Sequence, residues 1–97
     1  MSNLYVGDFG MTFYVETSIS LAAAVVTEIQ VKKPNGINVI WPATVVGTQM
    51  VYTIQLGDLD QSGKYVMQAF AEFYNLQVFG DAVEFYVLPM FGMRGVV

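Results

Sequence analysis

Tyr65-Val66-Met67-Gln68-Ala69-Phe70-Ala71-Glu72-Phe73-Tyr74 is the longest alternating stretch of the chain. Tyr65, Met67, Ala69, Ala71 and Phe73 occupy every second position, and a β-strand sends every second side chain to the same face. Shorter runs before it keep the same period. Met11, Phe13 and Val15 share one face, as do Thr27, Ile29 and Val31, and Met50, Tyr52 and Ile54. The expected core is Phe13, Val15, Ile29, Val31, Trp41, Tyr52, Ile54, Tyr65, Met67, Ala69 and Phe85.

Turn chemistry separates these runs. Pro34-Asn35-Gly36 combines a preset φ with residues that accept positive φ, and so predicts a tight reversal. The strand predicted over Asn38–Val46 contains Pro42, which cannot donate to a ladder, so that strand is bent, bulged or at an edge. Gly47-Thr48-Gln49 and Asn75-Leu76 read as turns, Gly57–Gly63 as a polar loop, and Gly80-Asp81 as a break in the final strand or pair over Val78–Leu88. Ser18–Ala24 is a small-residue connection, too short for a lone helix. Roughly seven strands with turns every 8–12 residues or so predict an all-β fold, a single antiparallel β-sandwich. Residues 1–88 form the domain in this reading, and 89–97 an extended, apolar C-terminal arm.

Composition restricts function. The 97 residues include no cysteine and no histidine, which removes thiolate chemistry, disulfides, the commonest general base and the commonest metal ligand. Charged residues are only 12% of the chain while 55% are hydrophobic, a balance suited to a surface buried against partners. The net charge of −4, with Lys32, Lys33, Lys64 and Arg94 as the only basic residues, argues against nucleic acid, because phosphate binding needs clustered cations. No apolar run approaches the ~18 residues that span a bilayer. MSNLYVGDFG lacks the layout of a signal peptide, so the mature protein is expected to begin near Met1 and to be made in a cytoplasm, with no membrane partner.

Candidate sites are few. Asp58-Leu59-Asp60-Gln61-Ser62-Gly63 opens like a calcium loop, but Ala69 stands where the bidentate Glu belongs. A tight loop with Asp and Ser capping backbone N–H groups is the reading adopted, with no metal and no cofactor. The same segment, continued to Lys64-Tyr65, resembles the tyrosine corner of immunoglobulin-like sandwiches, with one extra residue between Asp60 and Tyr65. Met67 then stands where an immunoglobulin domain has its second cysteine, and Trp41 is the candidate core tryptophan. Asp8, Glu16, Asp58, Asp60, Glu72, Asp81 and Glu84 suggest no paired carboxylates, and a serine nucleophile would have only lysine as its base. The chain is therefore expected not to be an enzyme. Aromatic residues, at 14%, could stack on sugars or bases, but core and interface packing is the reading adopted, since the acidic balance opposes nucleic acid.

Taken in order, Tyr5-Val6-Gly7-Asp8-Phe9-Gly10, Val31-Lys32-Lys33-Pro34-Asn35-Gly36, Trp41-Pro42-Ala43-Thr44, Gly57-Asp58-Leu59-Asp60-Gln61-Ser62-Gly63-Lys64-Tyr65, Gln68-Ala69 and Val83-Glu84-Phe85 resemble small virion proteins of tailed bacteriophages. The resemblance covers roughly residues 5 to 88. It implies an Ig-like β-sandwich that decorates a capsid or serves in a tail or baseplate. It implies a multi-copy or homo-oligomeric subunit that contacts other virion proteins, and it brings no catalytic residues. The alternative is a module that binds carbohydrate or a host surface through exposed aromatic rings.

Pro89 ends the last predicted strand. Beyond it Met90, Phe91, Met93, Val96 and Val97 are five apolar side chains in a segment without alternation, and with Arg94 they are the expected partner contacts. Each apolar side chain fully buried contributes about 1.5–3 kcal/mol, so a few anchor a subunit. Deleting residues 90–97 is expected to leave a folded domain that no longer joins its assembly. Circular dichroism together with particle incorporation checks this: unfolding would make the segment part of the core, and full incorporation would remove its role.

Overall fold

The computed structural model describes residues 4–89. Within them the chain forms nine strands and no helix: β1 (Leu4–Tyr5), β2 (Thr12–Glu16), β3 (Val26–Lys32), β4 (Asn38–Pro42), β5 (Thr44–Val46), β6 (Gln49–Thr53), β7 (Gly63–Phe73), β8 (Leu76–Phe79) and β9 (Val83–Leu88). One sheet has the order β1-β9-β7-β3-β4, with β8 also on β7, and the other the order β2-β6-β5. Their apolar faces pack together around one core.

The nine strands differ from the expected seven or so in their arrangement at three places, each with a physical reason. Pro42 ends the predicted Asn38–Val46 strand, and the chain changes sheets there. Ala43 N donates to Thr27 O (3.3 Å) and Thr27 Oγ1 donates to Ala43 O (2.9 Å), which pins the crossing between β4 and β5. A short strand, β1, precedes the first predicted run. It pairs with β9 in parallel, Leu4 opposite Val87 and Tyr5 opposite Leu88, so the larger sheet is mixed and not purely antiparallel.

The third reason lies opposite β7, whose second edge carries β8 and β9 in succession. Between the pairs Phe70↔Phe79 and Met67↔Val83, Gln68 and Ala69 face Gly80, Asp81 and Ala82. This extra residue is a β-bulge, and it exchanges the faces of the strand. Val78 lies opposite Ala71, whereas after the bulge the odd-numbered Val83, Phe85 and Val87 take the inward phase of β7. Gly80 N donates to Ala69 O (2.9 Å), and a Cβ on Gly80 would meet the Ala69 Cβ at 3.4 Å. The preceding hairpin turns at Tyr74-Asn75, one residue before the predicted position, because Leu76 already pairs with Phe73.

Val15, Ile29, Val31, Trp41, Ile54, Tyr65, Met67 and Ala69 are buried as expected, and Phe13, Tyr52 and Phe85 pack partly buried against them. The rings form a chain across the sheets. Trp41 stacks on Tyr52 (4.9 Å, 11°), Phe13 meets Trp41 (6.2 Å) and Phe85 (5.2 Å) edge-on, and Phe85 stacks on Tyr65 (5.2 Å). Leu21 and Leu59, from segments read as connections, are also buried. Leu21 N donates to Gly47 O near one end of β2, and Leu59 O accepts from Gly7 N beyond the other, so the two leucines close opposite ends of the core.

Trp41→Ala removes the ring that joins both sheets and is expected to cost about 3–5 kcal/mol in a denaturant titration. An unchanged midpoint would contradict its place in the core.

Candidate interaction surface

The loop after β6 is held by its own polar groups. The Tyr52 hydroxyl donates to Asp58 Oδ2 (2.6 Å), which also accepts from Gln55 N (2.7 Å). Burial, and secondarily the Asp58 carboxylate, push the Tyr52 hydroxyl well above the usual phenol range. Lys33 Nζ donates to Asp60 Oδ1 (2.9 Å), and Asn35 N donates to Gln61 Oε1 (3.1 Å), so the Pro34 turn is fastened to the loop. Gly63, at φ +126°, lies so close to Pro34 that a Cβ would stand 3.0 Å from the proline Cβ.

Tyr65 completes this corner. Its hydroxyl accepts from Gln61 N (3.2 Å) while its ring is fully buried, and that burial raises its pKa. This is the contact expected of a tyrosine corner. Trp41 lies on β4, next to Ile29 of β3, and not on the strand that pairs with β7. Asp58 and Asp60 thus serve different partners, and among the described residues no three Asp or Glu gather where a metal could sit.

On the smaller sheet, Glu16 Oε2 accepts from Thr48 Oγ1 (2.6 Å) and Ser18 N (2.8 Å), and the Thr48 contact foremost holds this carboxyl below the usual range. The rest of that outward face carries Thr12, Tyr14, Thr44, Val46, Val51 and Thr53, with the Thr12 and Thr53 hydroxyls 3.0 Å apart.

The outward face of the larger sheet differs. Register places Glu28, Phe70 and Phe79 in one row, Ile40, Gln30 and Gln68 in the next, and Lys32, Val66 and Glu84 in a third. Phe70 and Phe79 face each other at 4.9 Å, tilted by 49°. Ile40 and Phe79 are more than half exposed, at 58% and 54%. Gln68 Nε2 donates to Gly80 O (2.8 Å), so its amide is turned to the bulge. The surface is a mixed platform, with Ile40, Val66, Phe70 and Phe79 set among Glu28, Gln30, Lys32 and Gln68. Lys64 Nζ lies 3.5 Å from Glu84 beside it. The sequence reading passed over Val66 and Phe70. Their signal was present, since they interrupt the polar phase of the β7 alternation.

The expected contacts Met90, Phe91, Met93, Arg94, Val96 and Val97 lie outside the described residues. No described helix is long and apolar enough to cross a membrane. A scan against models of protein families and searches of curated proteins and of solved structures found nothing that matches this chain.

Lys33, chiefly through its hydrogen bond, holds the Asp60 carboxyl below its ordinary pKa. A lowered carboxylate pKa contributes stability above the unfolded pKa, and the contribution disappears as pH falls through the folded one. Asp60→Asn should therefore cost about 0.2–1 kcal/mol at neutral pH and flatten the loss of stability on acidification. Chemical denaturation from pH 7 to 3 checks both, and an unaltered acid slope would show that the pair contributes nothing.

Proposed function

We propose that this protein is a non-enzymatic structural subunit of a phage particle, made in the host cytoplasm, that works by association with other virion proteins in capsid decoration or in a tail or baseplate. The observation that carries this reading is the outward Phe70–Phe79 pair, with the exposed Ile40 and the half-buried Val66 on the same sheet face among Glu28, Gln30, Lys32 and Gln68. A sheet face turned away from its own core gains nothing from such side chains unless another surface covers them.

The finer fold assignment supports the same reading. The orders β9-β7-β3-β4 and β2-β6-β5 correspond to the G-F-C-C′ and B-E-D strands of immunoglobulin-type sandwiches, with β1 beside β9 and the Tyr65 corner on the F-like strand. The position of Trp41 on β4 is a departure from that pattern. A carbohydrate-binding role draws less support. The stacked pair that has an acid beside it, Trp41 and Tyr52 with Asp58, is built into the core and its connecting loop.

Phe79→Lys places a charge in the platform at an exposed position. Stability should stay within about 0.5 kcal/mol of the parent, as for most surface substitutions. Incorporation into particles, measured by quantitative gel analysis of purified virions, should drop sharply. Incorporation at the parent level would show that this face is not the interface.

A further inference from the structure

The two flanks of the sandwich are closed differently. On one, the chain passes directly from β4 to β5 through Ala43. On the other, β2 ends one sheet and the short β1, paired with the last two residues of β9, ends the other, and a groove of about 410 Å³ opens between them, lined by Leu4, Met11, Phe13, Met67 and Phe85 among others. The lining is mostly apolar. β2 pairs with β6 along one edge only, so among the described residues its other edge, Thr12–Glu16, has no strand beside it. An open strand edge above an apolar groove is the geometry that accepts an added strand.

We propose that residues 90–97 of one copy of this chain add as a strand to the free edge of β2 in a second copy, placing Phe91, Met93 and Val97 over the groove. The proposal rests on the assembly reading above and names the segment that joins the copies. Three observations select this occupant. First, Phe91, Met93, Gly95 and Val97 fall at alternate positions, so a strand made by this segment offers one wholly uncharged face despite lacking hydrophobic–polar alternation. Second, Arg94 falls in the opposite phase, the phase that Thr12, Tyr14 and Glu16 occupy on β2. The single cation of the segment thus shares a face with the only carboxylate of that strand.

Third, the route within one chain is obstructed. β9 leaves the sheet where Val6 N donates to Leu88 O (3.0 Å), and residues 6–11 cross there from β1 to β2, with Met11 on the groove wall. Gly7 N and Gly10 N, bonded to Leu59 O and Ile54 O, hold the crossing in place. At Leu88 the direction of β9 leads away from the groove, so an occupant from the same chain would have to reverse around this bridge. Eight residues span at most about 26–29 Å when fully extended, and a reversal consumes several of them. A second copy meets no such obstacle.

The 97-residue chain has no cysteine, which permits a clean cross-linking test. One preparation carries Tyr14→Cys, at an exposed position of β2, and another carries Val96→Cys. Thr12→Cys replaces Tyr14→Cys if circular dichroism shows that the latter does not fold. Equimolar mixtures are treated with a short bis-maleimide and resolved by mass. The expected result is a mixed dimer several-fold above the background of either chain alone, lost when Met93→Glu is added to the Val96→Cys chain. A yield no greater than background overturns the proposal. So does a chain carrying both cysteines that gives only an internally linked monomer in dilute solution. If cross-linking fails while Phe79→Lys still blocks incorporation, the assembly reading stands and this joint falls.

Discussion

Tyr65 holds three parts of the molecule in one place. Its ring stacks on Phe85 inside the core, its hydroxyl accepts from Gln61 N, and its backbone lies at the start of β7, the strand that β3, β8 and β9 all pair with. A buried phenol needs a partner for its oxygen, and a backbone N–H beside it needs an acceptor. Each group meets the requirement of the other. The loop from Asp58 to Gly63 is thereby fixed against the sheet, and Lys33 and Asn35 attach the β3–β4 turn to that loop.

From this corner outward, β7 sets the character of both sides of its sheet. Its inward residues, from Tyr65 to Ala71, are buried, and β2 and β6 cover them through Phe13, Val15, Met50 and Tyr52. Its outward residues include Val66, opposite Glu84, and Phe70, opposite Phe79. Without the extra residue, Phe79 would sit in the inward phase of the β9 pairing. The bulge therefore serves two surfaces at once: it keeps Phe85 and Val87 in the core and adds an aromatic ring to the platform.

The sparse charge of the chain fits this arrangement. Lys33 is committed to Asp60, Lys64 lies near Glu84, and Glu16 is tied to its own turn through Thr48 and Ser18. These ionic contacts stabilise loops and edges, while the larger outer face mixes Ile40, Val66, Phe70 and Phe79 with Glu28, Gln30, Lys32 and Gln68. Such a division suits a protein whose contacts depend on shape and apolar area more than on long-range electrostatics.

Local pattern by itself determined the strand character of the chain, the eight core residues that are fully buried, and the tyrosine contact, because side-chain alternation and turn chemistry act over a few residues. It also located the breaks at Pro42 and Gly80, since proline lacks a donor and glycine permits a close approach. Local pattern could not decide that Pro42 marks a change of sheet, that β1 would lie parallel to β9, or that Leu21 and Leu59 would plug opposite ends of the core. Those outcomes depend on partners 20 to 80 or so residues away, and pairing at such separation follows from how two whole sheets can cover each other. The open edge of β2 and the groove beneath it are likewise tertiary facts. They exist because β2 lies at the edge of one sheet on the flank where β9, bordered by β1 over only its last two residues, lies near the edge of the other, and residues 6–11 bridge one end of that flank.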